Sequence, residues 1–419
     1  MENRWFKDRP IAVLDIGSTK VCCAIANLSS DGGDFNIAGY GQCLCKGVKS
    51  GLITDLNAVE NAITKAVDLA ESNARVAVNS AVVSVSSHKV FAEAYKASLE
   101  VQGNTITHQD VLKVIACARP DLRSEGLEII HVIPVEYSVD GNVGINDPVG
   151  MAGRQLGVQL HVIAIPKLAL NNLLLSVSRC HIKVDGVFLA PYAASIAVAN
   201  DEDINLGTTV IVFGGGTSSF ATFYKGALVC VETLPVGVAH ITNDLSYGLK
   251  TSYENAERLK TLYGSAVASA VDVKEMILAP LNEQGDNITL QQVPRSELIK
   301  IIVPRVDEIL DRIKSRFDAK PYLDTITRKI ILTGGGCQLP GLKNLVADRF
   351  GKPVFIGTAD HIKTSSVELK SDFTTAAGLM MFARFKLADT GVNNEVDQTK
   401  PTPSKGFWTT VSNWIIKNL

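Results

Sequence analysis

The sequence predicts an α/β protein in which two related domains face each other across a cleft. The first observation is an order of strand, glycine turn and two further strands that recurs about 198 residues along the chain. The second is another glycine turn, after an apolar strand at 329–332. The repeated strands are 11–16, 21–27 and 35–42, then 208–213, 219–224 and 227–233. Coincidence between two unrelated hairpins is the alternative.

The composition is that of an ordinary globular protein and restricts the classes of function. The chain has 419 residues, 46% of them hydrophobic, with 41 Lys and Arg against 43 Asp and Glu for a net charge of −2. This length provides two to four domains at roughly 100–200 residues each. Proteins that wrap nucleic acid need an excess of basic side chains. We therefore expect no nucleic-acid partner.

The cysteines and the N-terminal segment predict a cytoplasmic location. The eight cysteines form no CxxC pair and have no histidines at zinc-finger spacing, so we expect reduced, mostly buried thiols. Residues 1–20 begin with charged side chains and then a strand, unlike a secretory signal. No 18 successive residues are apolar, which excludes a membrane-spanning helix but not attachment to a membrane surface.

Two long segments interrupt the repeated pattern and divide the chain into subdomains. The segment 86–164 has strands and a helix of its own, with Thr107 as the expected N-cap. The expected divisions are 1–85 with 165–193 as the first core, 86–164 as an inserted subdomain, 194–225 with 311–388 as the second core, 226–310 as its smaller subdomain, 389–405 as a linker and 406–419 as a terminal helix.

The C-terminal residues predict a helix that lies on a membrane. The linker 389–405 contains two prolines and no aromatic residue, Leu or Ile, so it buries too little to order itself. The next residues are amphipathic, and tryptophan favours the headgroup zone of a bilayer. The alternative is a helix that docks onto its own domain. The apolar side of the predicted helix consists of Phe407, Trp408, Val411, Trp414, Ile415 and Leu419.

Three glycine turns are candidates for binding a nucleotide. Glycine exposes backbone N–H groups without a Cβ, and neighbouring hydroxyls add donors for phosphate. The first two turns have both features, and the third suits close approach to a ring or a ribose. A single turn of this kind is more often structural than a ligand site, and it is the three together that indicate a nucleotide in the cleft. The turns are Gly17, Ser18, Thr19 and Lys20; Gly214, Gly215, Gly216 and Thr217; and Gly334, Gly335 and Gly336.

These motifs resemble those of a known superfamily. The order DIGSTK, GGGT, LTGGG, with LAPYAAS at 189–195 and TTAAGL at 374–379, is similar to actin, sugar kinases and DnaK-type chaperones. HVIPVEYSVDG at 131–141 and NDPVGMAG at 146–153 resemble the bacterial FtsA family within it. The resemblance implies a duplicated actin-like, ribonuclease-H-like fold with an FtsA-type inserted subdomain and a C-terminal amphipathic helix.

The resemblance also implies roles for individual residues. ATP would lie in the cleft, with Asp15 positioning Mg²⁺ through water and the first two turns holding the phosphates. The third turn would hold the adenosine, beside Glu257 and Lys260; without the resemblance, these two are an ordinary charge pair on a helix.

One departure from the family pattern concerns hydrolysis. The family has an aspartate two residues before the second glycine turn, where this chain has Val212, and often another after it, where this chain has Ser219. A valine neither holds a metal nor orients a water. We therefore expect ATP binding with weak or absent hydrolysis.

The implied function is that of a cell-division scaffold. The resemblance implies a peripheral protein on the cytoplasmic face of the inner membrane at the septum. It would assemble with itself, bind anionic lipid and late division proteins, and bind the FtsZ C-terminal peptide through Arg295 and, more weakly supported, Arg305. For each arginine the alternative is a solvated helix face.

Two other functions fit the same fold less well. A small-molecule kinase or phosphatase needs a carboxylate base in the cleft, and Val212 removes the expected one. A substrate-binding chaperone needs a further domain after the second lobe, where only a linker and 14 residues follow.

Overall fold

The computed structural model describes residues 10–28, 35–282, 288–359, 362–363 and 370–390. The first lobe begins with β1 (Ile11–Ile16), β2 (Lys20–Leu28), β3 (Phe35–Leu44), β4 (Val48–Lys49), β5 (Leu52–Ile53), α1 (Leu56–Ala74) and β6 (Ser80–Val85), and its sheet is completed by β11 (Lys183–Leu189) and β19 (Ile362–Lys363). The strand order of this sheet is β11-β6-β1-β2-β3-β19, in which β1 pairs antiparallel with β2 and parallel with β6.

An inserted subdomain follows β6 and has its own apolar core. Its sheet has the order β7-β10-β8-β9, and one face packs on α2, whose N-terminus is closed by a capping box between Thr107 and Asp110 as the sequence predicts. Ile133 and Ile163 instead pack into the core shared by the lobes. The elements are β7 (Phe91–Glu100), α2 (His108–Ala118), β8 (Leu127–Val139), β9 (Asn142–Ile145) and β10 (Gln155–Pro166).

The second lobe repeats the sheet of the first. Its strands, in spatial order, are β14 (Ala227–Leu234), β13 (Ser218–Tyr224), β12 (Thr208–Phe213), β17 (Lys329–Thr333) and β18 (Val354–Ile356). The central β12 pairs antiparallel with β13 and parallel with β17, as β1 does with β2 and β6. The predicted duplication is confirmed. The elements from the end of the insert to this sheet are α3 (Lys167–Arg179), β11 (Lys183–Leu189), α4 (Ala190–Val198), α5 (Asp201–Leu206), β12 (Thr208–Phe213), β13 (Ser218–Tyr224) and β14 (Ala227–Leu234).

A smaller subdomain covers one face of the second sheet, and its apolar side chains form a second core cluster. The strand β14 was expected in this subdomain, but it forms the edge of the second sheet because it pairs with β13 along its whole length. The remaining elements are α6 (Val238–Gly248), α7 (Tyr253–Tyr263), β15 (Met276–Asn282), β16 (Ile288–Pro294), α8 (Arg295–Asp318), α9 (Tyr322–Ile326), β17 (Lys329–Thr333), α10 (Leu342–Phe350), β18 (Val354–Ile356), β19 (Ile362–Lys363) and α11 (Thr374–Thr390).

Two helices cross between the lobes below the cleft. The helix α4 packs on β12 and β13 of the second sheet, whereas α11 packs on β1 and β6 of the first. Residues 374–388 were expected in the second core, but their buried side chains lie against the first sheet. At the crossing, a Cβ on Gly378 would lie 1.9 Å from the carbonyl oxygen of Ala193, so only glycine permits this approach.

The C-terminal predictions fall largely outside the described residues. The helix α11 continues through Thr390, so the first two residues of the expected linker are helical. Residues 391–419, which include the predicted membrane helix, lie outside the described part of the chain. None of the helices in the described part is long and apolar enough to cross a bilayer.

Candidate nucleotide site

The first two glycine turns have the same geometry at equivalent places in the two sheets. The backbone N–H of Gly17 donates to the carbonyl of Lys20 at 2.9 Å, and that of Gly214 donates to the carbonyl of Thr217 at 2.9 Å. Each bond closes a four-residue connection between antiparallel strands, β1 and β2 or β12 and β13. The duplication therefore extends to the hydrogen bond that shapes each turn.

These two turns lie against each other across the cleft. A Cβ on Gly215 would lie 2.4 Å from Cγ2 of Thr19, and one on Gly216 would lie 2.3 Å from Oγ of Ser18. The lobes also meet where the Ser50 hydroxyl donates to the carbonyl of Pro235 at 3.1 Å. The structure therefore brings together all the phosphate-turn residues that the sequence predicts.

Two backbone N–H groups in each turn have no hydrogen-bond partner among the described residues. The carbonyls of Gly214 and Gly215 accept from the first N–H groups of α6, Val238 at 3.0 Å and Ala239 at 2.8 Å. In contrast, no hydrogen bond among the described residues uses the backbone N–H of Ser18, Thr19, Gly215 or Gly216. Such N–H groups are what phosphate oxygens require.

The carboxylate predicted to position a metal lies beneath the first turn. Asp15 Oδ1 accepts from the Ser84 hydroxyl at 2.7 Å. Burial raises the pKa of the Asp15 carboxyl, while the Ser84 bond and the nearby Lys20 charge partly oppose that rise. Proteins hold Mg²⁺ with one or two carboxylates together with substrate phosphates. One carboxylate fits a cation delivered with a nucleotide, and the described residues contain no cluster of three metal-ligating side chains.

The third turn lies beside the second, and two of its glycines are required by packing. A Cβ on Gly334, whose φ is 84°, would lie 2.6 Å from the carbonyl oxygen of Phe213, and one on Gly336 would lie 2.4 Å from Cγ1 of Val238. A Cβ on Gly335 meets only Cβ of Asp372, at an ordinary 3.5 Å. Gly335 is therefore the position of this turn that is open to a ligand.

The two predicted ribose and base contacts form one network with α6. Lys260 Nζ lies 2.6 Å from Glu257 Oε2 and 2.8 Å from the hydroxyl of Thr242. Desolvation lowers the pKa of the largely buried Lys260, and the Glu257 carboxylate opposes the shift. Lys260 Nζ also reaches the carbonyl of Val238 at 3.5 Å, and Val238 is the side chain against Gly336. The pair therefore lies at the third turn and is more than an exposed charge pair.

The two predicted partner residues lie on α8, and both are paired within the chain. Arg295 Nη1 contacts Asp272 at 3.1 Å and Glu275 at 3.0 Å, while its Nε donates to the carbonyl of Tyr263 at 2.8 Å. Arg305 makes a two-point contact with Asp244, at 2.6 and 3.0 Å, and an ion pair with Glu308. Neither side chain is a solvated cation, so a partner carboxylate would have to share each guanidinium.

Three side chains at the site were not predicted from the sequence. Ser84 binds Asp15, Thr242 joins Glu257 to Lys260, and Asp372 forms an ion pair with Lys20 at 2.6 Å. Asp372 comes two residues before the TTAAGL motif, which was its only sequence signal. Val212 is half-buried against the shared core, at the position where the expected aspartate is missing.

Comparisons with known proteins agree with this architecture. The family profile "Cell division protein FtsA" matches residues 209–378, and "SHS2 domain inserted in FTSA" matches residues 87–164, within one residue of the expected insert. The cell division protein FtsA of Agrobacterium fabrum is 36% identical over 382 residues, covering 89% of this chain and 86% of that protein. FtsA of Escherichia coli is 28% identical over 422 residues, covering 98% of each.

Solved structures show the same fold at low sequence identity. MreB5 of Spiroplasma citri bound to ADP aligns with a TM-score of 0.57 and 13% identity, covering 93% of this chain and all of that one. A chain of the PilM-PilN type IV pilus biogenesis complex aligns with a TM-score of 0.64 and 14% identity, covering 89% and 98%. The fold is therefore actin-like, as expected. The 36% identity to the Agrobacterium protein over 89% of this chain confirms the expected resemblance to FtsA. This chain belongs to the FtsA family of cell division proteins.

Proposed function

We propose that this actin-like cell-division protein binds ATP in the cleft, assembles with itself and anchors the FtsZ ring to the cytoplasmic face of the inner membrane at the septum. The observation that carries the proposal is the contact between two matching turns across the cleft, four of whose backbone N–H groups have no hydrogen-bond partner among the described residues. Such a site suits an anion with several phosphates.

In the proposed complex each turn has a separate task. Backbone N–H groups of Ser18, Thr19, Gly215 and Gly216 bind phosphate oxygens, and Gly335 faces the adenosine. Mg²⁺ bound with ATP would neutralise phosphate charge, with Asp15 holding its water ligands. Because Val212 provides no carboxylate beside the second turn, hydrolysis is weak or absent. ATP would then act as a ligand that favours the closed arrangement of the lobes.

The proposed FtsZ contact lies on the smaller subdomain of the second lobe. Arg295 lies where β15 begins and β16 ends, and its backbone N–H donates to the carbonyl of Glu275 at 2.8 Å. Met276, Leu278 and Leu290 on this hairpin are exposed. A cation beside apolar side chains suits a peptide that carries both acidic and apolar residues. Arg305, further along α8, remains the weaker candidate, and late division proteins remain further partners.

The proposed membrane anchor is the C-terminal segment. Three lysines and no acidic residue follow Asp397, so the side chains of this segment carry a net charge of +3 and favour an anionic membrane surface. One short helix binds a membrane reversibly, and self-assembly would place many such helices on one scaffold. The protein would then be peripheral, with attachment strengthened by polymerisation.

The decisive experiment measures ATP binding to the Gly335→Asp variant. The position has room for a Cβ, so we expect the variant to fold, with a carboxylate in the space of the adenosine and at least a tenfold loss of affinity. Titration calorimetry with Mg²⁺-ATP measures the loss, and thermal melting verifies folding. Gly335→Ala is the matched control, because it adds the Cβ without the charge. Unchanged ATP affinity in Gly335→Asp would remove the cleft as the nucleotide site.

A further inference from the structure

An ion pair connects the first turn to Asp372, a distant residue that lies beside the third turn. Lys20, the last residue of the first turn, lies 352 positions from Asp372, yet its Nζ is 2.6 Å from Asp372 Oδ2. The same ammonium reaches Gln42 Oε1 at 3.3 Å. The side chains of Lys20 and Asp372 are 18% and 37% exposed, so the pair is partly accessible to solvent. The ammonium is therefore already paired with protein groups.

The backbone around Asp372 is held firmly against the third turn. The carbonyl of the preceding residue, Ser371, accepts from the Gly334 N–H at 3.0 Å and from the Thr374 hydroxyl at 2.9 Å. The Cβ of Asp372 also lies 3.5 Å from the Cβ position of Gly335. Lysine, in contrast, carries its charge on a flexible four-carbon chain. If the pair breaks, Lys20 is the side chain that moves.

The charges around Lys20 make this pair sensitive to phosphate. Asp15 and Asp372 both interact electrostatically with the Lys20 ammonium, so one cation serves two carboxylates. A polyphosphate in the cleft brings several more negative charges to the turn that ends at Lys20. Lysine ammonium groups are common phosphate ligands. Phosphate and the Asp372 carboxylate therefore compete for the same ammonium.

We propose that Asp372 is a positioning residue of the nucleotide site, which holds the Lys20 ammonium until nucleotide phosphates displace it. The inference rests on the proposed nucleotide binding. Removing the carboxylate leaves Lys20 available for phosphate without the prior loss of an ion pair. Partly exposed ion pairs contribute modestly to stability, so the expected effect on affinity is roughly two- to fivefold. It should depend on the phosphates and be absent for adenosine alone.

The test compares Asp372→Asn with wild-type protein, with ATP and adenosine as titrants in the presence of Mg²⁺. We expect Asp372→Asn to bind ATP roughly two- to fivefold more tightly and adenosine equally well. Asp372→Glu should return ATP affinity toward the wild-type value. Asp324→Asn is the matched control, because Asp324 pairs with Lys352 at 3.2 Å outside the site. Asp372→Ser is a second variant for the case in which the asparagine variant does not fold.

A double-mutant cycle with Lys20→Gln decides whether Asp372 acts through Lys20. We expect the Asp372→Asn effect to disappear in the Lys20→Gln background. An equal gain in both backgrounds would show that Asp372 repels phosphate directly and would overturn the proposal. Unchanged or weaker ATP binding by the folded Asp372→Asn and Asp372→Ser variants would also overturn it. If neither wild type nor Asp372→Asn binds ATP, the proposed nucleotide function fails along with this inference.

Discussion

Nε2 of His131 accepts a hydrogen bond from the backbone N–H of Leu189 at 3.0 Å, and so joins the inserted subdomain to the junction of β11 and α4. The ring is buried between Phe188 and Tyr192. Burial lowers the pKa of His131 to about 3. A second histidine of the same sheet, His161, is also buried, and burial with the Lys320 charge lowers its pKa to about 4.

The first prediction is that acid destabilises the fold through these two histidines. Their folded pKa values lie below the unfolded value near 6.5, so unfolding takes up protons and stability falls as the pH drops below that value. As the pH falls from 6.5 toward these folded pKa values, each histidine contributes a loss of stability on the order of 1 kcal/mol per pH unit. The difference in the free energy of unfolding between pH 7 and pH 5, determined by urea titration, measures this loss. His131→Gln keeps a neutral acceptor for Leu189 and should show a shallower pH dependence; an identical slope would contradict the assignment.

The second prediction concerns the missing carboxylate of the second turn. Val212→Asp introduces the aspartate that the resemblance led us to expect at this position, and we expect faster phosphate release from ATP. The position is half-buried, so some loss of stability accompanies the change. A colorimetric phosphate assay measures the release, with Val212→Asn as the uncharged control of similar shape. No increase over Val212→Asn would mean that the active geometry is absent for other reasons.

The third prediction separates partner binding from internal pairing at Arg295. Replacing it by a neutral residue should weaken binding of an acidic FtsZ tail peptide by roughly two- to fivefold and reduce the salt dependence. Both this change and charge reversal remove the cation paired with the buried Asp272, and charge reversal should destabilise the fold more because it also places a second carboxylate beside it. The measurement is a fluorescence-anisotropy titration of Arg295→Gln at low and moderate salt.

Arg349→Gln is the matched control for Arg295→Gln. Arg349 has the same 23% exposure and also pairs with two carboxylates, Asp307 and Asp311, but lies on α10. Equal peptide affinities for wild type and Arg295→Gln at both salt concentrations would remove Arg295 from the partner surface.

The fourth prediction tests membrane attachment. Trp408→Glu places a charge in the apolar side of the predicted helix, and we expect release from anionic vesicles with ATP affinity unchanged. Vesicle co-sedimentation measures it, and Ser412→Glu on the polar side is the control. If Trp408→Glu unfolds the protein, the segment is a docked core helix.

The role of assembly in attachment is tested with the isolated tail on carrier proteins. The tail on a dimeric carrier should bind vesicles far more strongly than the tail on a monomeric carrier, because the second insertion is effectively intramolecular. Equal co-sedimentation of the two carriers would exclude avidity.

The fifth prediction concerns the helix crossing. Gly378→Ala raises intrinsic helix propensity by about 1 kcal/mol, yet its Cβ would overlap the Ala193 carbonyl. Overpacking in a dense core costs about 1–3 kcal/mol, so we expect net destabilisation. Thermal melting measures it, with Thr375→Ala on the same helix as the control for propensity. A higher melting temperature for Gly378→Ala would show that the helices separate easily.

Local patterns explain why much of this fold was predictable. The glycine turns are four-residue connections within hairpins, so neighbouring residues specify them, and the insert has its own periodicity and Thr107 cap. The sequence does not predict that α4 packs on the second sheet and α11 on the first. Both helices are apolar on several sides, so either sheet could bury them. The Lys20–Asp372 pair joins residues 352 positions apart, and no local pattern encodes such a contact.

The contact of Gly378 with Ala193 limits how closely the two lobes can approach each other. Because the backbones already touch there, the lobes cannot approach further at the crossing, and we expect any relative motion of the lobes to be a rotation about it. A small rotation of one lobe about this crossing would produce a larger displacement at the other contact between the lobes, where the Ser50 hydroxyl donates to the Pro235 carbonyl. The same rotation would change the direction of α11 relative to the second lobe, because α11 packs on the first sheet. A change in the angle between the lobes would therefore be transmitted to the end of α11 at Thr390.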